Sequence, residues 1–200
     1  MPRRKLSPDL KNAIHNLSDK EKDKLIYRIL PSHSNLVDRL EFELLEGGET
    51  RQDRRDELAD DIINQIELSQ QAFYPPAAAM RDLRDWSKQI NRHVFATQDK
   101  FGEISLNLLM MNQLLEQANP RLFSGSTHKA EMLRRYIVRR SLKILKLRLK
   151  LHEDLQFDLQ EDFEALGERL QQHRHFAYTA VHHQFNLDAV AAGELERFSL

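Results

Sequence analysis

Apolar side chains recur along most of this chain at alternating intervals of three and four residues, which is the repeat of one face of an α-helix. The regularity is clearest in residues 99–118, where the apolar positions are Phe101, Ile104, Leu108, Met111, Leu115 and Ala118. Three other segments share the pattern: Leu58, Ile62, Ile66, Ser69 and Phe73; Met80, Leu83, Trp86, Ile90 and Val94; and Leu159, Phe163, Leu166, Leu170, His173, Ala177 and Ala180. Such seams predict long helices that pack nearly parallel or antiparallel to a neighbour.

Capping and helix-breaking residues predict where these helices begin and end. Ser7-Pro8 and the capping-box pattern of Ser18 and Glu21 predict two short helices, which end near residues 17 and 30. A third short helix is expected before the glycine pair at residues 47–48. The long helices are expected to begin near Thr50, Pro76, residue 99, Thr127 and Asp158, with a short tail helix after Asn186.

The predicted fold class is all-α. We expect a bundle of four to five long helices over residues 49–200, with a cap of short helices over residues 1–48. One alternative stays open inside the bundle, because "KLRLKL" and "LQFDL" alternate with the period of two that is typical of strands. Residues 144–159 are therefore either helix, which we favour, or a short hairpin.

Composition supports a globular chain and removes several kinds of chemistry. The 200 residues are 40% hydrophobic and 30% charged, which is enough apolar material for a real core. The net charge of −1 argues against a dedicated nucleic-acid-binding domain, which is usually strongly basic. The chain has no cysteine, so disulfides, thiolate zinc sites and cysteine nucleophiles are excluded. The opening "MPRRKLSPDLKN" is not followed by the apolar stretch of a secretory signal, and no apolar run approaches the roughly 20 residues of a membrane span, so we expect a cytoplasmic protein with no membrane role.

The strongest local charge signal is "RRYIVRRSLKILKLRLK", residues 134–150, which holds eight of the thirty Lys and Arg residues. On a helix, the basic stripe consists of Arg135, Arg139, Lys143, Lys146 and Lys150. Apolar residues cover the opposite half of the same helix. The pattern predicts a bundle helix that buries its apolar face and shows water only its basic stripe.

Acidic residues follow this helix directly, with seven Asp and Glu and no Lys or Arg in residues 151–168. A chain reversal near residue 154 would place these acids beside Lys146 and Lys150, where the helix dipoles favour both charges. The N-terminal half of the basic helix would then lack acidic neighbours. Its arginines are the predicted anion-binding or nucleic-acid-binding residues: Arg134, Arg135, Arg139 and Arg140.

Two carboxylate pairs, Glu43-x-x-Glu46 and Glu57-x-x-Asp60, resemble the metal signature of the all-α NTP pyrophosphohydrolases. The resemblance implies magnesium held by these four side chains and hydrolysis of a nucleotide. The ten-residue gap between the pairs is shorter than is usual in that family. On a helical wheel, Glu57 and Asp60 also fall about 150° from the apolar face, so they are expected to point towards water.

The remaining motifs give no site. The histidines of "HRHFAYTAVHH" lack the helical spacing of a metal pair, and His173 on the apolar seam is expected to be a core histidine. The chain contains no phosphate-binding glycine loop and no nucleophile elbow. We therefore assign no catalytic residue and expect no cofactor.

The segments "LSDKEKDKLIYRIL" and "LEFELLEGGETRQDRRDEL" resemble uncharacterised bacterial helical proteins. The resemblance is confined to the N-terminal third and implies no activity. The sequence favours a non-enzymatic binding or scaffolding module, whose partner is another protein or a second copy of the chain. The first alternative is anion or nucleic-acid binding through the helix over residues 127–157, and the second is the magnesium-dependent hydrolase.

Overall fold

The computed structural model describes residues 5–70, 74–125 and 127–194, and these ranges contain helices and no strand. The predicted all-α class is therefore confirmed. Within residues 144–159 the helical alternative is formed and the hairpin is not. No helix in the described ranges combines the length and the hydropathy needed to cross a bilayer.

The helices follow one another with short connections. The first part contains α1 (Pro8–His15), α2 (Asp19–Ile29), a 3-10 turn (Leu30–Ser32), α3 (Ser34–Leu40) and a π-helical turn (Glu41–Leu45). The long helices are α4 (Arg51–Gln70), α5 (Pro76–Thr97), α6 (Lys100–Gln117), α8 (His128–Arg148) and α10 (Gln160–Gln172). The shorter ones between and after them are α7 (Arg121–Ser124), α9 (Glu153–Asp158), α11 (Arg174–His182) and α12 (Leu187–Ala191).

Side-chain caps fix several of these starts where the sequence predicts them. The Ser18 N–H donates to Glu21 Oε2 at 2.9 Å, which completes the predicted capping box of α2. Thr127 Oγ1 accepts the Ala130 N–H at the start of α8. Asn186 does the same for the predicted tail helix, α12. These helix starts are therefore capped by side chains from the same turn of the chain, as the sequence predicts.

The core is built around α6, which is buried on nearly every side. The helices α4, α5, α8 and α10 all pack against it. The predicted seam through Ile104, Leu108 and Met111 is buried, but it is only part of the buried surface, because Met110 and Leu114 are buried as well. A helix buried to this extent lies at the centre of the bundle, where its polar side chains Asn107 and Asn112 need hydrogen-bond partners.

Two predicted helices end earlier than expected. α8 ends at Arg148 instead of continuing towards Asp158. The helix predicted over residues 158–180 breaks at His173, where the backbone has φ −104° and ψ 89°, and becomes α10 and α11. The break lets α11 pack on α8 while α10 packs mainly on α6 and α12. As a result, α10 does not lie along α8 as the sequence pattern suggested.

The predicted cap of residues 1–48 has two parts. The α3 helix packs against α5, and the π-helical turn buries Phe42. By contrast, α1 and α2 contain no buried residue and do not pack extensively on any long helix. We call residues 5–32 the N-terminal arm.

Replacing Gly167 by alanine should test the contact between α10 and α12. A Cβ at this position would lie 2.7 Å from the Ala191 Cα, and the nearby backbone cannot move aside cheaply. We expect Gly167→Ala to lower the free energy of unfolding by about 1–3 kcal/mol, measured by thermal and urea denaturation. Gly125→Ala is the control, because its added Cβ would make an ordinary 3.4 Å contact with Ala130 Cβ. Equal stability of the two variants would contradict the close packing.

Candidate functional site

The outward faces of α5 and α8 form a groove of about 420 Å³, which we call the basic groove. Its lining combines five cations with two methionines and a tyrosine: Met80, Arg84, Met132, Arg135, Tyr136, Arg139, Arg140 and Lys143. The α8 positions from residue 132 to residue 143 extend over about 16 Å at 1.5 Å per residue. The groove is thus a basic channel with an apolar floor.

The cations of the basic groove differ in how well they are neutralised. Arg135 Nη2 lies 3.1 Å from Glu131 Oε1, and Lys143 Nζ lies 2.7 Å from Glu103 Oε1. Both pairs are partly open to solvent, where such a pair contributes about 0.2–1 kcal/mol. Arg84 and Arg139 are exposed and have no ion pair or hydrogen bond within the described residues. Two guanidinium groups, one from each wall, are therefore available to a ligand.

Arg140 is fixed in place by the central helix. Its Nε donates to Asn107 Oδ1 at 2.6 Å, and Asn107 is fully buried on α6. Its Nη2 is also buried but has no hydrogen-bond partner among the described residues. An unsatisfied buried donor costs about 1–3 kcal/mol, more when it is charged, so this nitrogen calls for an acceptor.

Arg134 faces away from the other predicted arginines. Its Nη1 donates to the carbonyl oxygens of Phe123 at 2.6 Å and Gly125 at 3.0 Å, so it closes the loop after α7. The structure therefore brings Arg135, Arg139 and Arg140 together and gives Arg134 a structural contact. Sequence reasoning missed Arg84, because nothing local to α5 links it to α8.

The predicted neutralisation of Lys146 and Lys150 by the acids of residues 153–164 is wrong. Both lysines are exposed, and neither makes an ion pair within the described residues. Residues 149–159, which include α9, separate α8 from α10, and α10 packs on α6 and α12 instead of along α8. Arg148 turns inward instead, with Nε 3.2 Å from the Gln156 carbonyl oxygen and Nη2 3.0 Å from Gln160 Oε1.

The carboxylates of the predicted magnesium site are not gathered around one position. Glu43 pairs with Arg39 at 2.7 Å, while Glu46 accepts hydrogen bonds from Arg54 and from the hydroxyl of residue 50. Two of the four carboxylates, Glu57 and Asp60, are exposed on α4. In the parts of the chain that the structure describes, no group of three or more His, Asp or Glu side chains could hold a metal ion. This arrangement gives the hydrolase alternative no geometric support.

His173 lies half-buried at the junction of α10 and α11, as the apolar seam suggested. Its ring centroid is 4.9 Å from that of Phe123 and 6.1 Å from that of Phe176. Burial lowers the pKa of His173, so the neutral form is favoured. These contacts are those of a packed histidine at a helix break.

A buried polar network that the sequence did not reveal joins three helices at one end of the bundle. Asp99 accepts the Gly102 N–H at 2.8 Å as the N-cap of α6, and His93 Nε2 and Arg55 Nη1 each lie 3.3 Å from its Oδ2. Burial opposes the ionisation of Asp99, but these hydrogen bonds and the Arg55 charge together hold its pKa below the usual 3.8. Because His93 and Asp99 are almost fully buried, the network positions α4, α5 and α6.

Comparison with known proteins finds no matching family, no similar curated protein and no similar solved structure.

Asp99→Asn should destabilise the fold by about 1–3 kcal/mol at neutral pH, because the amide keeps the cap but loses the charge facing Arg55 and His93. A depressed carboxyl pKa stabilises the fold above the unfolded-state pKa, and the effect is lost as the pH falls through the folded-state value. The difference in free energy of unfolding between the native protein and the variant should therefore become smaller when the pH falls below the usual Asp pKa of 3.8. Urea denaturation across pH measures this, with exposed Asp60→Asn as the control. A deficit that is constant with pH would contradict the ionic role of Asp99.

Proposed function

We propose that this protein is a non-enzymatic helical binding module that associates with a second copy of itself through the N-terminal arm. One observation carries the proposal: α1 and α2 are complete, capped helices that bury no residue. Isolated helices of this length are marginal in water and need a packing surface to be stable. The described residues of the same chain provide little of that surface.

The arm exposes apolar side chains as well as its backbone helices. Five apolar side chains of the arm keep between 44% and 70% of their surface in water: Leu6, Leu10, Ile26, Tyr27 and Ile29. Exposed apolar residues are normal singly, but five on one short segment are typical of an interaction surface. A protein partner therefore fits the arm better than a small ligand does.

Charge complementarity supports a second copy as that partner. On α2, Lys20, Lys24 and Arg28 recur every four residues, and none of them has an ion pair within the described residues. The successive charges are about 6 Å apart along the helix. They form a basic stripe on the arm, which Tyr27 borders.

The matching surface is an acidic stripe on α4 that consists of Asp53, Glu57 and Asp61. These residues have the same four-residue spacing, line a cleft of about 610 Å³ between α4 and α5, and make no ion pair within the described residues. Other charges of this cleft are already neutralised, because Arg92 pairs with Asp38 and Arg54 with Glu46.

If α2 of one copy lies antiparallel to α4 of the other, then Arg28 is opposite Asp53, Lys24 is opposite Glu57 and Lys20 is opposite Asp61. A two-fold exchange of arms would form six such pairs, because a symmetric dimer uses each surface twice. Exposed pairs contribute only about 0.2–1 kcal/mol each, so the association should be weak and sensitive to salt.

Two charge-reversed proteins test this pairing by complementation. The first carries Lys20→Glu, Lys24→Glu and Arg28→Glu; the second carries Asp53→Lys, Glu57→Lys and Asp61→Lys. We expect sedimentation at low salt to show self-association of the native chain, monomers for each variant alone, and recovered association in an equimolar mixture.

The mixture distinguishes an arm that packs on α4 of a second copy from an arm that packs on α4 of its own chain. Only a contact between chains can be restored by mixing the two variants. Lys146→Glu with Lys150→Glu is the matched control, which should associate as the native chain does. A native chain that stays a 23.6 kDa monomer at every concentration would overturn the proposal. So would a mixture of well-folded variants, verified by far-UV circular dichroism, that fails to associate.

A further inference from the structure

We infer that the basic groove between α5 and α8 is a binding site for phosphate groups, contacted by Arg84 from one wall and Arg139 from the other. This site shares no residue with the arm or with the α4 stripe, so it does not depend on the proposed self-association. It differs from the sequence prediction in gaining Arg84 and losing Arg134.

The first support is the number of unsatisfied donors that meet in one place. Arg84 and Arg139 are exposed without an ion pair in the described residues, and Arg140 Nη2 is buried without an acceptor. Arg140 also lines the groove, so an anion held by Arg84 and Arg139 would be attracted by three guanidinium charges.

The second support is the environment of His183, which follows α11 where that helix packs on α8. Burial lowers the pKa of His183, and the charges of His182, Arg139 and Arg135 lower it further. No carboxylate raises the pKa of His183 against these effects. Because Arg135 is paired with Glu131, the uncompensated positive charge on this side of α8 comes from Arg139, which has no ion pair within the described residues.

Phosphate suits this geometry better than a lone carboxylate does. Guanidinium groups bind phosphate through two parallel N–H···O bonds, and a phosphate has enough oxygens to accept from both walls at once.

The groove also continues past Arg84 into a second hollow of about 260 Å³ that His128, Lys129 and Arg81 line. The two hollows share Met80, Arg84 and Met132, so they are continuous, and their combined lining holds seven Lys and Arg side chains against one carboxylate, Asp85. A linear series of phosphates, either an inorganic polyphosphate or the backbone of a single-stranded nucleic acid, matches such a lining.

The floor of the groove does not compete for the ligand's oxygens. The Tyr136 hydroxyl is 2.6 Å from Ser87 Oγ and donates to the Leu83 carbonyl oxygen, so its hydrogen-bonding capacity is used inside the protein. Met80 and Met132 add only apolar surface. The phosphate would therefore be held at the basic rim, while the floor stays open to an apolar or aromatic part of the ligand.

The test measures binding of two probes to the full-length protein at low salt: inorganic tripolyphosphate by calorimetry, and a labelled single-stranded oligonucleotide by fluorescence anisotropy. We expect at least one probe to bind, and Arg84→Glu with Arg139→Glu to weaken that binding at least tenfold. Binding of both probes indicates general phosphate recognition. Binding of tripolyphosphate alone identifies inorganic polyphosphate as the ligand class, and binding of the oligonucleotide alone identifies the backbone of a nucleic acid. The affinity should fall steeply with added salt, since phosphate contacts release counterions.

Lys146→Glu with Lys150→Glu is the control, because it makes the same charge change at exposed positions outside the groove, at the end of α8 and in the turn that follows it. We expect this control to change the affinity less than threefold. A second readout comes from the imidazole NMR signals of His183: the bound phosphate should raise its pKa in the native protein but not in the Arg84 and Arg139 double variant. Absence of binding by both probes at low salt, or an equal loss in the control, would overturn the inference.

Discussion

The burial of α6 on nearly every side is the constraint on which the rest of the structure depends. Four helices direct their apolar faces to it, so their opposite faces are the ones that meet water. Two buried asparagines help to set the arrangement. Asn107 accepts from Arg140 on α8, and Asn112 donates to the Asp162 carbonyl oxygen on α10 at 3.0 Å. Because each buried amide finds partners, these contacts orient the neighbouring helices at little cost in solvation.

This allocation of faces explains why both proposed surfaces lie where they do. The core uses the inner sides of α4, α5 and α8, which leaves an acidic stripe on α4 and a basic groove between α5 and α8. The net charge of −1 conceals this separation, because acids and bases cancel only over the whole chain. The N-terminal arm has no face on α6, and that is why its helices remain without a partner in the described residues.

Sequence periodicity predicted the helices and much of their core, because burial on a helix repeats every three to four residues and is a local signal. The inward positions of α5 and α6 show this, for Leu83, Ile90 and Ile104 are all fully buried. Helix starts with a cap were equally readable, as Ser18 and Thr127 show.

Features that depend on how the chain turns could not be read in the same way. The expected pairing of Lys146 with the following acids assumed a tight reversal, and the break at His173 has no proline or glycine to mark it. Arg84 and Arg139 meet only because α5 and α8 pack together, and no local pattern connects positions so far apart. The Asp99 network is similar: its capping role was accessible to sequence reasoning, but its contacts with Arg55 and His93 come from tertiary packing.

Amide hydrogen exchange followed by mass spectrometry, repeated over a range of protein concentrations, tests the central claim most directly. The claim is that α6 anchors the fold while the N-terminal arm gains its packing from another chain. The account predicts that α6 amides exchange slowest at every concentration. It also predicts that α1 and α2 amides exchange rapidly in dilute solution and become protected as the concentration rises. Protection of α1 and α2 that equals that of α6 in dilute solution, and does not change with concentration, would contradict it.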